Sequence, residues 1–121
     1  MKKKIELKKL PAWFYATESG NEPVREWLKE LGLNDRRTVG EDIMTAEYGW
    51  PLGMPLIKKI APEIWEVRSN LKNKIARVLF AVYKNKMVLL HGFIKKDQKT
   101  PPQDIKLAEK RLAELKKGEG T

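Results

Sequence analysis

The sequence contains no cysteine, so neither disulfide stapling nor thiolate chemistry is open to it. It has one histidine, His91, too few for a histidine-rich transition-metal cluster. No Asp-rich loop is spaced for Ca²⁺ or Mg²⁺ either, so no metal and no cofactor is expected. No apolar run approaches 18 residues, which argues against a membrane span. The opening Met1-Lys2-Lys3-Lys4 is basic, but Glu6, Lys8 and Lys9 interrupt any apolar stretch that would make it a signal peptide. The cytoplasm is the expected location.

What is abundant is positive charge. The 121 residues carry a formal net charge of +9, unevenly placed. Residues 1–60 hold 11 Lys or Arg against 9 Asp or Glu, whereas residues 61–121 hold 14 against 7. An excess of that size in the second half suits a polyanionic partner. The length fits one domain, residues 1–121, with a single modest core.

Partial alternation of Ile5, Leu7, Leu10, Trp13 and Tyr15 predicts a first strand over residues 4–15, with Pro11 at an edge or bulge. After the Ser19-Gly20-Asn21 turn, Pro23 suits the first turn of a helix with Val24, Trp27, Leu28 and Leu31 on its apolar face, ending near Gly32. Asn34 or Asp35 can cap a second helix running to about Tyr48. Residues 49–62 contain three prolines and two glycines, too broken a stretch for a regular element. Strands are expected at 63–69, 75–83 and 87–95, the last two joined as an antiparallel hairpin. Pro101 and Pro102 precede a last helix over about 103–117, whose Ile105, Ala108, Leu112 and Leu115 form an apolar face. The resulting order, β-α-α-β-β-β-α, predicts an α+β fold: one curved, mainly antiparallel sheet with helices packed on one face and the other face open to present charge.

Several residues stand out chemically. Arg68 and Glu66 share a strand face by period-two counting, as a reactive arginine beside a carboxylate or as a plain ion pair. Arg77 has the parity of Leu79 and Ala81, at the end of a core-facing row. A guanidinium there can grip two phosphate oxygens, or it can be structural. His91 alone has a reference pKa near neutrality, yet it lies in an apolar strand, where a lone histidine is more often a packed residue with a satisfied hydrogen bond. Lys95 and Lys96 leave their strand with opposite parity, so one of them faces the open side. Lys99 follows near a turn, and Lys58 and Lys59 sit before the second strand.

The stretches IWEVR (64–68), RVLF (77–80) and LLHGFIKKDQKTPPQDIKLAEKR (89–111), with PVREWLKEL (23–31) and LGMPLIKKI (52–60), resemble the HigB-like branch of the RelE/ParE toxin superfamily, which takes in phage-derived Gp49-like proteins. The likeness covers about 95 residues, from 23 to 111 plus the first strand. It implies a four-strand RelE-like sheet and the toxin of a type II toxin–antitoxin pair. It also implies a partner antitoxin with a helix-turn-helix domain, and an endoribonuclease activity on mRNA at the ribosome. The alternatives are DNA gyrase inhibition, as in the ParE branch, and a non-catalytic member that binds RNA or antitoxin. By the resemblance, Arg77, Arg68 and Lys95 are the candidate catalytic residues, and Lys58, Lys59, Lys96, Lys99 and His91 the candidate RNA contacts. One departure is plain: a RelE-type tyrosine near the chain end is missing, since no Tyr follows Tyr83. Phe93 or Trp65 would have to supply a stacking surface instead.

Overall fold

The computed structural model describes residues 7–96 and 99–119. Five strands, β1 (Ala12–Phe14), β2 (Ile57–Ala61), β3 (Ile64–Leu71), β4 (Lys74–Tyr83) and β5 (Lys86–Lys95), form one sheet in the order β1-β5-β4-β3-β2. Only the β1–β5 pairing is parallel. Helices α1 (Pro23–Glu30) and α2 (Leu33–Gly49) connect β1 to β2, and α3 (Pro102–Glu119) follows β5. The α+β class and the mainly antiparallel sheet are those the sequence predicts.

Two elements differ from expectation near the start. The first strand is only Ala12–Phe14. Pro11 has no N–H to offer a neighbour, and the Leu10 and Ala12 amides turn instead to Glu47 of α2, at its carbonyl (3.0 Å) and its Oε2 (2.7 Å). Ile5 lies outside the described residues. Conversely, the stretch judged too broken contains β2. Its prolines, Pro51, Pro55 and Pro62, flank the five strand residues, which pair with β3 from Ile57↔Val67 to Ala61↔Ile64. The sheet therefore has five strands where the resemblance implied four.

The placement of α3 also differs. Val78 and Phe80 of β4 join Val24, Val39, Ile43 and Ala46 in a cluster beneath α1 and α2. Leu79 and Ala81, of opposite parity, join Ala108 and Leu112 of α3 in a second cluster. A strand apolar on both sides needs cover on both. The α1–α2 pair thus packs on one face, as expected, and α3 lies against the other. Its apolar contacts run along Leu79, Ala81, Val88 and Leu90, and Asp104 of its first turn reaches on to His91.

A β-bulge in β5 sets the direction of everything beyond it. Phe80 pairs with Leu89 but Leu79 pairs with His91, so Leu90 is the additional residue. Leu90 and His91 consequently share the α3 side, and from there His91, Phe93 and Lys95 all point to that side. The Leu90 carbonyl is taken up by Arg111 of α3, whose Nη1 donates to it at 2.7 Å. Tyr15, also beside Arg111, donates its hydroxyl to Glu114 Oε2 at 2.6 Å, and burial first, then this acceptor, push its pKa up to about 12.

On the opposite side of β5, Gly92 lets Trp27 of α1 lie flat on the strand. A Cβ at position 92 would meet the indole Cε3 at 2.4 Å. Gly92→Ala is expected to destabilise the protein by about 1–3 kcal/mol through overpacking, read as a lowered midpoint in urea unfolding. A native midpoint would show that α1 can slide away from the strand.

Candidate active site on the open half of the sheet

Beside the apolar contacts of α3, the same sheet face is polar. Register places its side chains in rows. Lys58, Glu66, Leu79 and His91 lie across β2 to β5, and Arg68, Arg77 and Phe93 form the next row. Lys95, opposite Ile75, begins a third. Strand alternation thus gathers two arginines, two lysines, a carboxylate and the single histidine on one surface.

Glu66 is the centre of this group and is fully buried, at 0% exposure. Arg68 Nε donates to its Oε1 at 2.6 Å, and Arg77 Nη1 stands 3.6 Å from the same oxygen. Thr100, just before α3, donates its hydroxyl to Glu66 Oε2 and accepts from Arg77 Nη1 at 3.1 Å. Both guanidinium groups thus lie against one buried carboxylate, where water screens their attraction little. The two arginines are not equivalent: Arg77 is fully buried, whereas the Arg68 side chain keeps 11% exposure. Arg68 is the more accessible of the two guanidinium groups, and both face the same Glu66 oxygen.

His91 sits one row away. Its Nε2 is 2.7 Å from Oδ1 of Asp104 in the first turn of α3, and its ring stacks on Phe93 with centroids 5.3 Å apart. With Asp104 ionised, Nε2 carries the hydrogen of this contact, which leaves Nδ1 as the basic nitrogen. The histidine is therefore held at its edge by a carboxylate and at its face by an aromatic ring.

The remaining sequence candidates separate by face. Lys58 stands opposite Glu66 and is exposed on the site side. Lys59 projects to the other face, with its Nζ 5.2 Å from the Trp65 ring centroid, and does not join the site. Both belong to β2 and not to a loop. Lys95 reaches the site face at the end of β5, while Lys96 and Lys99 are exposed just beyond it. Trp65 packs between Trp50 and Phe80 on the α1–α2 face and offers no stacking surface here. Phe93 is on the site face.

Sequence reasoning missed Thr100 and Asp104. The one available signal was an acidic residue in the first turn of the last helix, where the dipole favours it. It also missed Lys72, exposed in the β3–β4 turn at the site end of the sheet. Among the described residues there is no cluster of three or more His, Asp or Glu able to hold a metal ion, and no helix long and apolar enough to cross a membrane.

No curated protein matches this sequence. A family model described as phage-derived protein Gp49-like (DUF891) matches residues 26–113, a span that contains Glu66, Arg68, Arg77, His91, Thr100 and Asp104. The chain, then, belongs to the phage-derived Gp49-like family, within the HigB-like branch of the RelE toxin superfamily.

Proposed function

We propose that this protein is the toxin of a two-gene toxin–antitoxin pair and cleaves mRNA on the ribosome as a metal-independent endoribonuclease. The observation that carries this reading is the polar half-face, where Arg68 and Lys95 share one surface with a histidine whose partner, Asp104, fixes its ring. Cleavage of RNA without metal needs an aligned 2′-oxygen, stabilisation of the pentacoordinate phosphorus, and proton transfer at both oxygens.

In this reading Arg68, braced by Glu66 and Arg77, holds the non-bridging oxygens as negative charge develops. Nδ1 of His91 takes the 2′-hydroxyl proton as the O2′–P bond forms. The P–O5′ bond then breaks, and the departing O5′ takes a proton from the Lys95 ammonium. The products are a 2′,3′-cyclic phosphate and a 5′-hydroxyl, and exchange with water resets both side chains. Lys58, Lys96 and Lys99 would line the path of the RNA backbone, and a separate antitoxin with a helix-turn-helix domain would hold the protein inactive.

Primer extension on mRNA from a translation reaction tests this. New 5′ ends that appear only when ribosomes translate are the expected result. Uncut mRNA would sink the nuclease reading. DNA gyrase trapped on DNA would replace it with gyrase inhibition, and RNA binding without cleavage would mark a non-catalytic member.

A further inference from the structure

The far end of the same sheet face carries a second cationic surface. The β4–β5 hairpin turns through Lys84 and Asn85, both at positive φ (49° and 62°), the twist-matched geometry for a two-residue connection. Tyr83 and Lys86 close it as a pair. Tyr83 has the parity of Arg77, and Trp13, opposite Val88 on β1, looks to the same side. Lys86 Nζ lies over the Trp13 ring at 3.9 Å, and Lys84 Nζ over the Tyr83 ring at 5.5 Å. The result is a row that alternates aromatic and cation: Trp13, Lys86, Tyr83, Lys84.

Trp13 is the anomaly in this row. It is 55% exposed, although an indole on a strand of a small domain is ordinarily buried. An exposed ring with ammonium groups beside it suits a base that stacks while the lysines meet the phosphates on either side of it. Six residues of β4 separate Tyr83 from Arg77, roughly 20 Å at about 3.3 Å per residue. That is three to four nucleotides of extended strand, with α3 between the two surfaces.

We propose that this hairpin tip is a second RNA-binding site, which grips single-stranded RNA away from the cleavage site and anchors the protein on its RNA target. The inference rests on the RNA-cleaving reading for its biological sense, but the binding it asserts is separable from cleavage. The occupant is RNA and not an acidic protein, because Trp13 and Tyr83 supply stacking faces that a carboxylate-rich surface would not need.

The test is binding of a fluorescent 12-nucleotide RNA with 2′-O-methyl groups, which cannot be cut, across a salt series. Trp13→Ala is expected to weaken binding about tenfold. Lys84→Ala combined with Lys86→Ala is expected to lower the slope of log affinity against log salt by about 1.4, roughly 0.7 for each lost phosphate contact. Both variants should melt as the native protein does, since the replaced side chains are at the surface. Native affinity and native slope in both variants would overturn the proposal, whatever the fate of the nuclease reading. Altered binding with no cleavage in the primer-extension assay would leave the tip proposal standing and fell the other. Unchanged RNA binding with lost capture of the co-expressed antitoxin would make the tip a protein contact and overturn it equally.

Discussion

Replacing Arg68 by alanine is expected to lower the cleavage rate by roughly 10²–10³ at saturating RNA while the protein still folds. The side chain is the more accessible member of the guanidinium pair, and its Nε bond to Glu66 fixes the plane of its guanidinium. Without it, Glu66 still has the Arg77 guanidinium at 3.6 Å and the Thr100 hydroxyl, so the buried carboxylate is not stranded. The loss of one charged hydrogen bond should reduce stability by about 1.5–3 kcal/mol, less than would unfold a typical domain. Arg68→Lys keeps the charge but not the planar fork and should recover only part of the rate. Single-turnover cleavage, with circular dichroism on the same samples, checks both halves. A folded Arg68→Ala protein that cuts at the native rate would remove Arg68 from the site.

The Arg77→Ala substitution should act chiefly on stability. Its guanidinium is fully buried against Glu66 and Thr100, and removing one partner of a buried ionic group costs about 3–5 kcal/mol. Because Arg68 remains beside the carboxylate, the lower figure applies, equivalent to a fall of roughly 10–15 °C in melting temperature. Adding Glu66→Gln to Arg77→Ala should recover much of that fall, since a neutral amide needs no cation. Cleavage should stay low in the double variant, because Arg68 has then lost its anchor. Thermal melts of the two variants decide the matter. A native melting temperature for Arg77→Ala would show that the buried network does not hold this part of the sheet together. Loss of growth arrest in cells would not separate the two effects, so the melts must come first.

The three long strands and the helices were legible because their patterns are local. Val78 to Ala81 are apolar at every position, and α1 repeats its apolar residues at helical spacing behind Pro23. The row of Arg77 with Leu79 and Ala81, and the shared face of Glu66 and Arg68, followed from parity alone. Features that depend on distant partners were not legible. The short β1 reflects the hold of Glu47 on the Leu10 and Ala12 amides, 37 and 35 residues away along the chain. With β2 unrecognised, Lys58 and Lys59 had no parity, so nothing told the site residue from the one that covers Trp65. Thr100 and Asp104 meet Glu66 and His91 only because α3 lies on the same side as they do, a choice made by the two-sided apolar character of β4.

Counted by twos from Val88, the far half of β5 would send Gly92 and Ile94 to the polar side and bury His91, Phe93 and Lys95 beneath α1. The additional residue at Leu90 shifts the count by one and reverses that outcome. The strand therefore works as two half-strands set out of phase, the first timed to the core and the second to the site. Substitutions along it perturb one position each, but pairing β5 without the bulge, with Leu90 counted into the ladder, would exchange the faces of the second half wholesale. His91 would then stand opposite Val78, where Gly92 now lies beneath Trp27, and Arg68 and Arg77 would be left without the histidine. Arg111, which ties down the Leu90 carbonyl, then has a meaning beyond hydrogen-bond satisfaction: it keeps the two halves in their offset. The bulge in β5 is as much a determinant of this surface as any side chain on it.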